Sequence, residues 1–166
     1  MAKIGEMDFY GAKILNRDFG GEKFGPEARQ FSIEIEDPEM QQRLANDGVR
    51  LWHSNYVVDD EPPKVYMNVR VDFRFNDVDI AMITPEGNAI RLDERSVHEL
   101  DKAWIKNSEM HVVLNSYKRP GREGVTAYCK TLVVWLMSKD ERETIMEERG
   151  TPSNPIKEKY KDIFGG

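Results

Sequence analysis

The stretch Lys64–Phe75, KVYMNVRVDFRF, sets how the rest of the chain is read. With a period of two, Val65, Met67, Val69, Val71, Phe73 and Phe75 share one face, and Lys64, Tyr66, Asn68, Arg70, Asp72 and Arg74 share the other. A strand with one fully apolar face belongs over a β core. Its outer face offers a ring and two guanidiniums, the groups that follow a nucleic-acid strand, with rings against bases and cations along phosphates. The same face also fits a solvated strand whose arginines pair with Glu34 and Glu36 on a neighbour.

Composition narrows the field. At 166 residues the chain is long enough to bury one proper core. No apolar run approaches the roughly 18 residues of a membrane span. The opening MAKIGEMDFYG has no apolar signal-peptide region, so a cytoplasmic location is expected. The single cysteine, Cys129, rules out an internal disulfide and reads as a small buried hydrophobe in an apolar strand. A net charge of -6 argues against coating duplex DNA by bulk attraction, so local arrangement matters more. Lys118, Arg119, Arg122 and Lys130 stand against one acid, Glu123, whereas the acids gather in helical patterns such as 138–149.

Along the chain, a strand at Asp8–Leu15 precedes a glycine-broken loop, and a second strand spans Arg29–Glu36. Asp37-Pro38 opens a short helix that ends at Gly48, with another strand at Val49–Tyr56. After the long strand come a turn at Asn76-Asp77, a strand at Val78–Thr84, and a helix capped by Asp93. Glu109–Tyr117 and Val125–Met137 form a hairpin around the loop KRPGREG. Ser138 with Glu141 is a capping box opening a charged helix, followed by a TPSNP linker and a tail.

This order is that of a mainly β protein with helices (α+β): an OB-fold-like five-stranded barrel with a short helix/strand insertion and a C-terminal helix plus tail. The expected domains are 1–137 for nucleic-acid binding and 138–166 for the helix and flexible tail. In this barrel oligonucleotides cross the face of strands 2 and 3 between two loops. One loop holds Arg17, Phe19, Lys23 and Phe24, its two rings either folded down as a lid or exposed for stacking; the other holds Lys118, Arg119 and Arg122, flanked by Tyr117, Tyr128 and Lys130. Tyr66, Arg70 and Arg74 lie between them. Trp52 either extends this platform or packs in the core, while Trp104 and Trp135 follow apolar periodicity and are assigned to packing.

The pieces NRDFGGEKFGPEARQFSIEIED, LDERSVHELDKAWI and GVTAYCKTLVV resemble a group of small OB-fold single-stranded DNA-binding proteins encoded by bacteriophages. The resemblance runs from about Phe9 to Val134. It implies a non-catalytic protein that coats transient single strands in replication and recombination, with little sequence specificity. It also implies host cytoplasm as the location, and possible replication or recombination partners at Tyr160, Ile163 and Phe164 in the tail. The tail itself, KEKYKDIFGG, departs from the acidic ends common among such proteins. No cofactor is expected. His53, His98 and His111 share no short spacing for zinc, and no phosphate-loop, dinucleotide or nucleophile-elbow motif is present. The alternative reading is a non-catalytic β-barrel interaction or virion-assembly module, whose basic loop meets an acidic partner. A metal-dependent nuclease comes third.

Overall fold

The computed structural model describes residues 2–54, 63–74 and 77–148, in two compact units, Met1–Leu136 and Met137–Gly166. The first unit is a nine-stranded mixed sheet. Its strands are β1 (Ala2–Tyr10), β2 (Ile14–Asp18), β3 (Gln30–Glu34), β4 (Leu51–His53), β5 (Val65–Arg70), β6 (Asp79–Ile83), β7 (Ala89–Leu92), β8 (Ile105–Arg119) and β9 (Arg122–Leu136). Helix α1 (Pro38–Asn46) follows β3, and a 3-10 helix, Val97–Asp101, follows β7.

The main path through the sheet is β1-β8-β9-β5-β3-β2, with β4 beside β5, β6 beside β9 and β7 beside β6. Its first and last strands are consecutive in sequence, joined by Gly11–Lys13, so the sheet curls until its ends meet at a corner. That corner is pinned to both sides. Gly11 N–H donates to the Ser108 carbonyl at 2.7 Å, Ser108 Oγ donates to the Ala12 carbonyl at 2.7 Å, and Glu34 N–H donates to the Lys13 carbonyl at 3.4 Å. The single strand expected over Asp8–Leu15 is therefore two strands with a bend.

Inside the curl, Phe19 and Phe31 stack with centroids 4.9 Å apart, among Ile33, Leu44, Met67, Val69, Leu100, Leu114 and Leu132, all fully buried. The alternation read in Lys64–Phe75 holds through Val65, Met67, Val69 and Val71, all buried. The ladder stops earlier than the pattern suggests. The Asp72 carboxylate accepts from Arg74 N–H at 3.0 Å and Arg74 Nε at 3.2 Å, turning the chain out of the sheet. Phe75 and Asn76, and with Asn76 the start of the expected turn, lie outside the described residues.

The hairpin is longer than its apolar pattern indicated, with 15 residues in each strand around the turn Pro120-Gly121. Proline supplies the fixed φ and Gly121 the positive φ of 75° that a two-residue turn of this kind requires. A register shift at His111/Val112 leaves Lys130 unopposed and inverts the parity of β9. Val125, Ala127 and Cys129 face inward before it, and Leu132, Val134 and Leu136 after it.

The helix expected from Asp93 is only the 3-10 turn, although Asp93 Oδ1 does accept from Arg95 N–H and Ser96 N–H at 2.9 and 3.0 Å. Residues 89–92, to which the sequence reading assigned no strand, form β7. Trp104 follows the 3-10 turn and is 38% exposed, which corrects its assignment to packing. Asp37 caps α1 as read, its carboxylate accepting from Glu39 N–H at 3.0 Å. In the second unit, Ser138 and Glu141 form the expected reciprocal cap at the start of α2 (Lys139–Glu148). Tyr160, Ile163 and Phe164 lie outside the described residues.

Candidate nucleic-acid interface

β5 is bordered on one edge by β3 and on the other by β4 and then β9. This junction brings side chains from four strands into rows on the outer face. Gln30, Arg70 and Tyr128 form one row through the pairs Gln30↔Arg70 and Arg70↔Tyr128. Beside it, Ser32 opposes Asn68, and beyond that Tyr66 opposes both Glu34 and Trp52. The hairpin tip adds Arg119 and Arg122, directly paired across the strands. Together these elements enclose a cleft of about 240 Å³.

The chemistry of its lining is one-sided. Arg50, Arg70, Arg119 and Arg122 contribute four guanidiniums, and Trp52, Tyr117 and Tyr128 contribute three rings. None of the described lining residues is acidic, in a chain with 30 aspartates and glutamates. Like charges placed directly opposite are unfavourable in a ladder, so Arg119 and Arg122 are not there for stability. The Arg50 guanidinium lies 3.9 Å over the Trp52 ring, which is itself 42% exposed. That cation–π contact holds the indole while leaving surface for a second ring.

Tyr117 depends on a glycine. A Cβ on Gly124 would sit 2.6 Å from Tyr117 Oη and 2.9 Å from its Cζ, so only glycine lets the ring lie across its strand neighbour. Lys118 is exposed opposite Glu123 and faces the adjoining groove beside Ile4. Lys130 is half-buried at the bulge, and Tyr66 is half-buried next to Trp52.

The first loop does something other than expected. Arg17 Nη1 donates to the carbonyls of Leu100 and Ala103 at 3.0 and 2.6 Å, tying β2 to the 3-10 helix, and burial lowers its pKa. Phe19 is wholly buried against Phe31 and has no face left for a base. The loop after it is rigidly built. Asp101 accepts from Phe19 and Gly20 N–H at 2.7 and 2.9 Å, and Asp18 accepts from Lys23 and Phe24 N–H at 3.1 and 3.0 Å. Gly21 has φ 72°, and a Cβ there would meet Gly25 O and Pro26 Cα at 2.7 Å. Phe24 is 61% exposed and Lys23 is exposed, but neither lines the cleft. Arg74 is engaged with Asp72 at 3.2 Å and Glu27 at 3.6 Å. Glu34 and Glu36 are met by Lys13, at 3.7 Å each.

Three polar cleft residues escaped the reading of the sequence, Gln30, Asn68 and Thr126, while Arg50 was visible there only as a neighbour on the face of Trp52. Asn68 could have been found by its place between Tyr66 and Arg70. Gln30 and Thr126 carry no signal apart from their strand partners.

Other ionisable groups lie apart from this cleft. His111 sits between Asp8 at 2.6 Å and Glu6 at 3.1 Å, whose carboxylates raise its pKa. Burial pushes the Cys129 thiol up to about 12, which leaves it inert. Among the described residues no cluster of histidine, cysteine, aspartate and glutamate could hold a metal ion.

Over residues 1–152 the sequence matches the family described as "Putative phage ssDNA-binding domain". The chain belongs to this family. The expected single-stranded DNA-binding protein, the bacteriophage relationship and the OB-like fold all stand. Two solved structures of the single-stranded DNA-binding protein from bacteriophage Enc34 share the fold. The C-terminal truncation has a TM-score of 0.52 at 6% identity, covering 81% of this chain and 86% of that one. The other has a TM-score of 0.50 at 8% identity, covering 81% and 83%. The single-stranded DNA-binding protein gp2.5 of bacteriophage T7 is a looser likeness, with a TM-score of 0.46 at 11% identity over 92% of this chain and 100% of that one. No curated protein matches the sequence.

Proposed function

We propose that this family member holds single-stranded DNA in the cleft between the β8–β9 tip and the outer face of β4, β5 and β9, without catalysis. The observation that carries this reading is the lining itself, four arginines and three aromatic rings with no acid among the described residues. Rings stack on any base, and guanidiniums meet any phosphate, so affinity arises with little dependence on sequence. Arg119 and Arg122 take phosphates at the open end. Arg70 and Tyr128 form the floor, and Trp52, oriented by Arg50, stacks on a base. Tyr117 lines the wall below the arginines. Lys118, Lys130 and Tyr66 flank this path rather than form it.

A protein that covers single strands without cleaving them fits replication and recombination, where such strands are transient. Recruitment of other proteins in those processes falls to the C-terminal region, residues 138–166.

The test is a titration with oligo-dT and with duplex of equal length, followed by tryptophan fluorescence at low and high salt. Trp52 is the reporter, so Trp52→Phe should abolish most of the signal while a mobility shift still detects the complex. Tight, salt-sensitive binding to oligo-dT with weak duplex binding is expected. Equal affinity for the two would overturn the reading, and cleavage of the oligonucleotide with magnesium present would overturn the absence of catalysis.

A further inference from the structure

We propose that Asn68 reads a carbonyl oxygen on the base held in the cleft, so that the cleft discriminates against adenine, the one DNA base without a carbonyl. The inference rests on the cleft as the DNA site and adds to it a preference that stacking and phosphate contacts do not supply.

Ser32 fixes the orientation of Asn68. It lies on β3 directly opposite Asn68 on β5, is only 4% exposed, and donates its hydroxyl hydrogen to Asn68 Oδ1 at 2.7 Å. A buried hydroxyl needs an acceptor, so turning the amide over would leave that hydrogen unsatisfied. The carbonyl of the amide is therefore spent on the sheet. Asn68 itself is exposed on the cleft lining, and its Nδ2, with two hydrogens, is the group left to meet a ligand. Two residues along the same face, Arg70 offers donors only. A base entering here meets an edge of donors and is held best through acceptors. Thymine, cytosine and guanine each bring a carbonyl oxygen. Adenine offers only ring-nitrogen acceptors, and N1 and N7 each lie beside its amino group, so an edge of donors that reaches them also meets that group's hydrogens.

The test compares affinities of the full chain for labelled oligo-dT and oligo-dA of equal length, at one salt concentration. Asn68→Ala and Asn68→Asp are measured beside the wild type. Asn68 is exposed, so both variants should fold, which circular dichroism checks. Adenine strands stack on themselves, but that cost is common to all three proteins and cancels in the ratio of affinities. The dT-over-dA preference should fall about tenfold in Asn68→Ala, the scale of one well-made base-edge contact. It should fall further in Asn68→Asp, whose carboxylate only accepts. An unchanged ratio in Asn68→Ala, with both oligonucleotides still bound, overturns the inference and leaves the cleft as the DNA site. Failure of the wild type to bind either oligonucleotide removes the DNA site and the inference together.

Discussion

Replacing Arg119 and Arg122 together by alanine separates function from stability more cleanly than any other change to this protein. The two residues face each other at the end of the β8–β9 ladder, beside Pro120-Gly121, and no described acid pairs with either. Facing residues on antiparallel strands have Cβ atoms about 5 Å apart, and like charges there cost a few tenths of a kcal/mol to about 1 kcal/mol. The double variant should therefore melt at the same temperature as the wild type or slightly above it, since the hairpin is anchored along 15 residues on each strand. DNA binding should move the other way. For single strands each phosphate contact contributes about 0.7 to the slope of log affinity against log salt, so two lost contacts flatten it by about 1.4. Over a fourfold rise in salt the wild type should then lose about sevenfold more affinity than the variant. The assay is anisotropy titration of labelled oligo-dT across a salt series, with thermal melting alongside. An unchanged slope would refute the phosphate role of the tip, and a clear drop in melting temperature would show that the pair supports the hairpin instead.

The two phenylalanines of the first loop should behave in opposite ways. Phe19→Ala opens a cavity beside Phe31 and should cost about 3–5 kcal/mol by denaturant unfolding, whereas Phe24→Ala, at an exposed ring, should leave stability nearly unchanged. Gly124→Ala should push the Tyr117 ring off its strand neighbour and weaken oligo-dT binding severalfold, measured by titration, with a far smaller effect on melting. The His111 imidazolium, held by Asp8 and Glu6, has its pKa raised above 6.5 in the folded protein. The stability it contributes is complete below about 6.5 and is lost as pH rises through the raised value, so melting temperature should decline across that range in the wild type and stay flatter in His111→Gln.

Period-two patterns carried most of the fold. Val65 to Val71 and Val125 to Cys129 were legible because burial on one face leaves no other reading of the alternation. The places where the pattern misled have local causes. Asp72 captured a backbone N–H and ended β5 early, and a bulge at Lys130 inverted β9 in mid-strand. Both are single hydrogen-bond choices that hydrophobicity does not record. The 3-10 helix shows the same limit: Val97 and Leu100 are both buried, but their spacing of three serves a 3-10 turn as well as an α-helix. For the site, the cationic hairpin tip and its tyrosines were legible as a charge cluster between strands. The first loop stayed ambiguous because Arg17 and Phe19 look alike in sequence whether they face a ligand or the core. What separates them is Asp101, more than 80 residues away, which fastens Phe19 and Gly20 to the 3-10 helix and turns the ring inward.

The net charge of -6 and a cleft free of described acids are two sides of one arrangement. Several acids near the sheet are engaged locally. Glu34 and Glu36 meet Lys13, Asp72 and Glu27 meet Arg74, and Asp18 and Asp101 cap backbone N–H groups of the first loop. Arg119 and Arg122 are left without such partners among the described residues, at the one end of the hairpin where the turn forces them together. Held within a Debye length of about 8 Å of each other, they act on a phosphate jointly, while more distant acids are screened. Excess negative charge outside the cleft then works against non-specific duplex binding. The sharpest consequence concerns placement rather than total charge. Moving one acid into the lining, as Thr126→Glu, should weaken oligo-dT binding by at least tenfold. A glutamate added at exposed Glu99's neighbour, as His98→Glu, brings the same net charge and should leave affinity within about twofold. Equal losses from the two variants would mean that bulk charge governs binding, and the cleft would lose its claim.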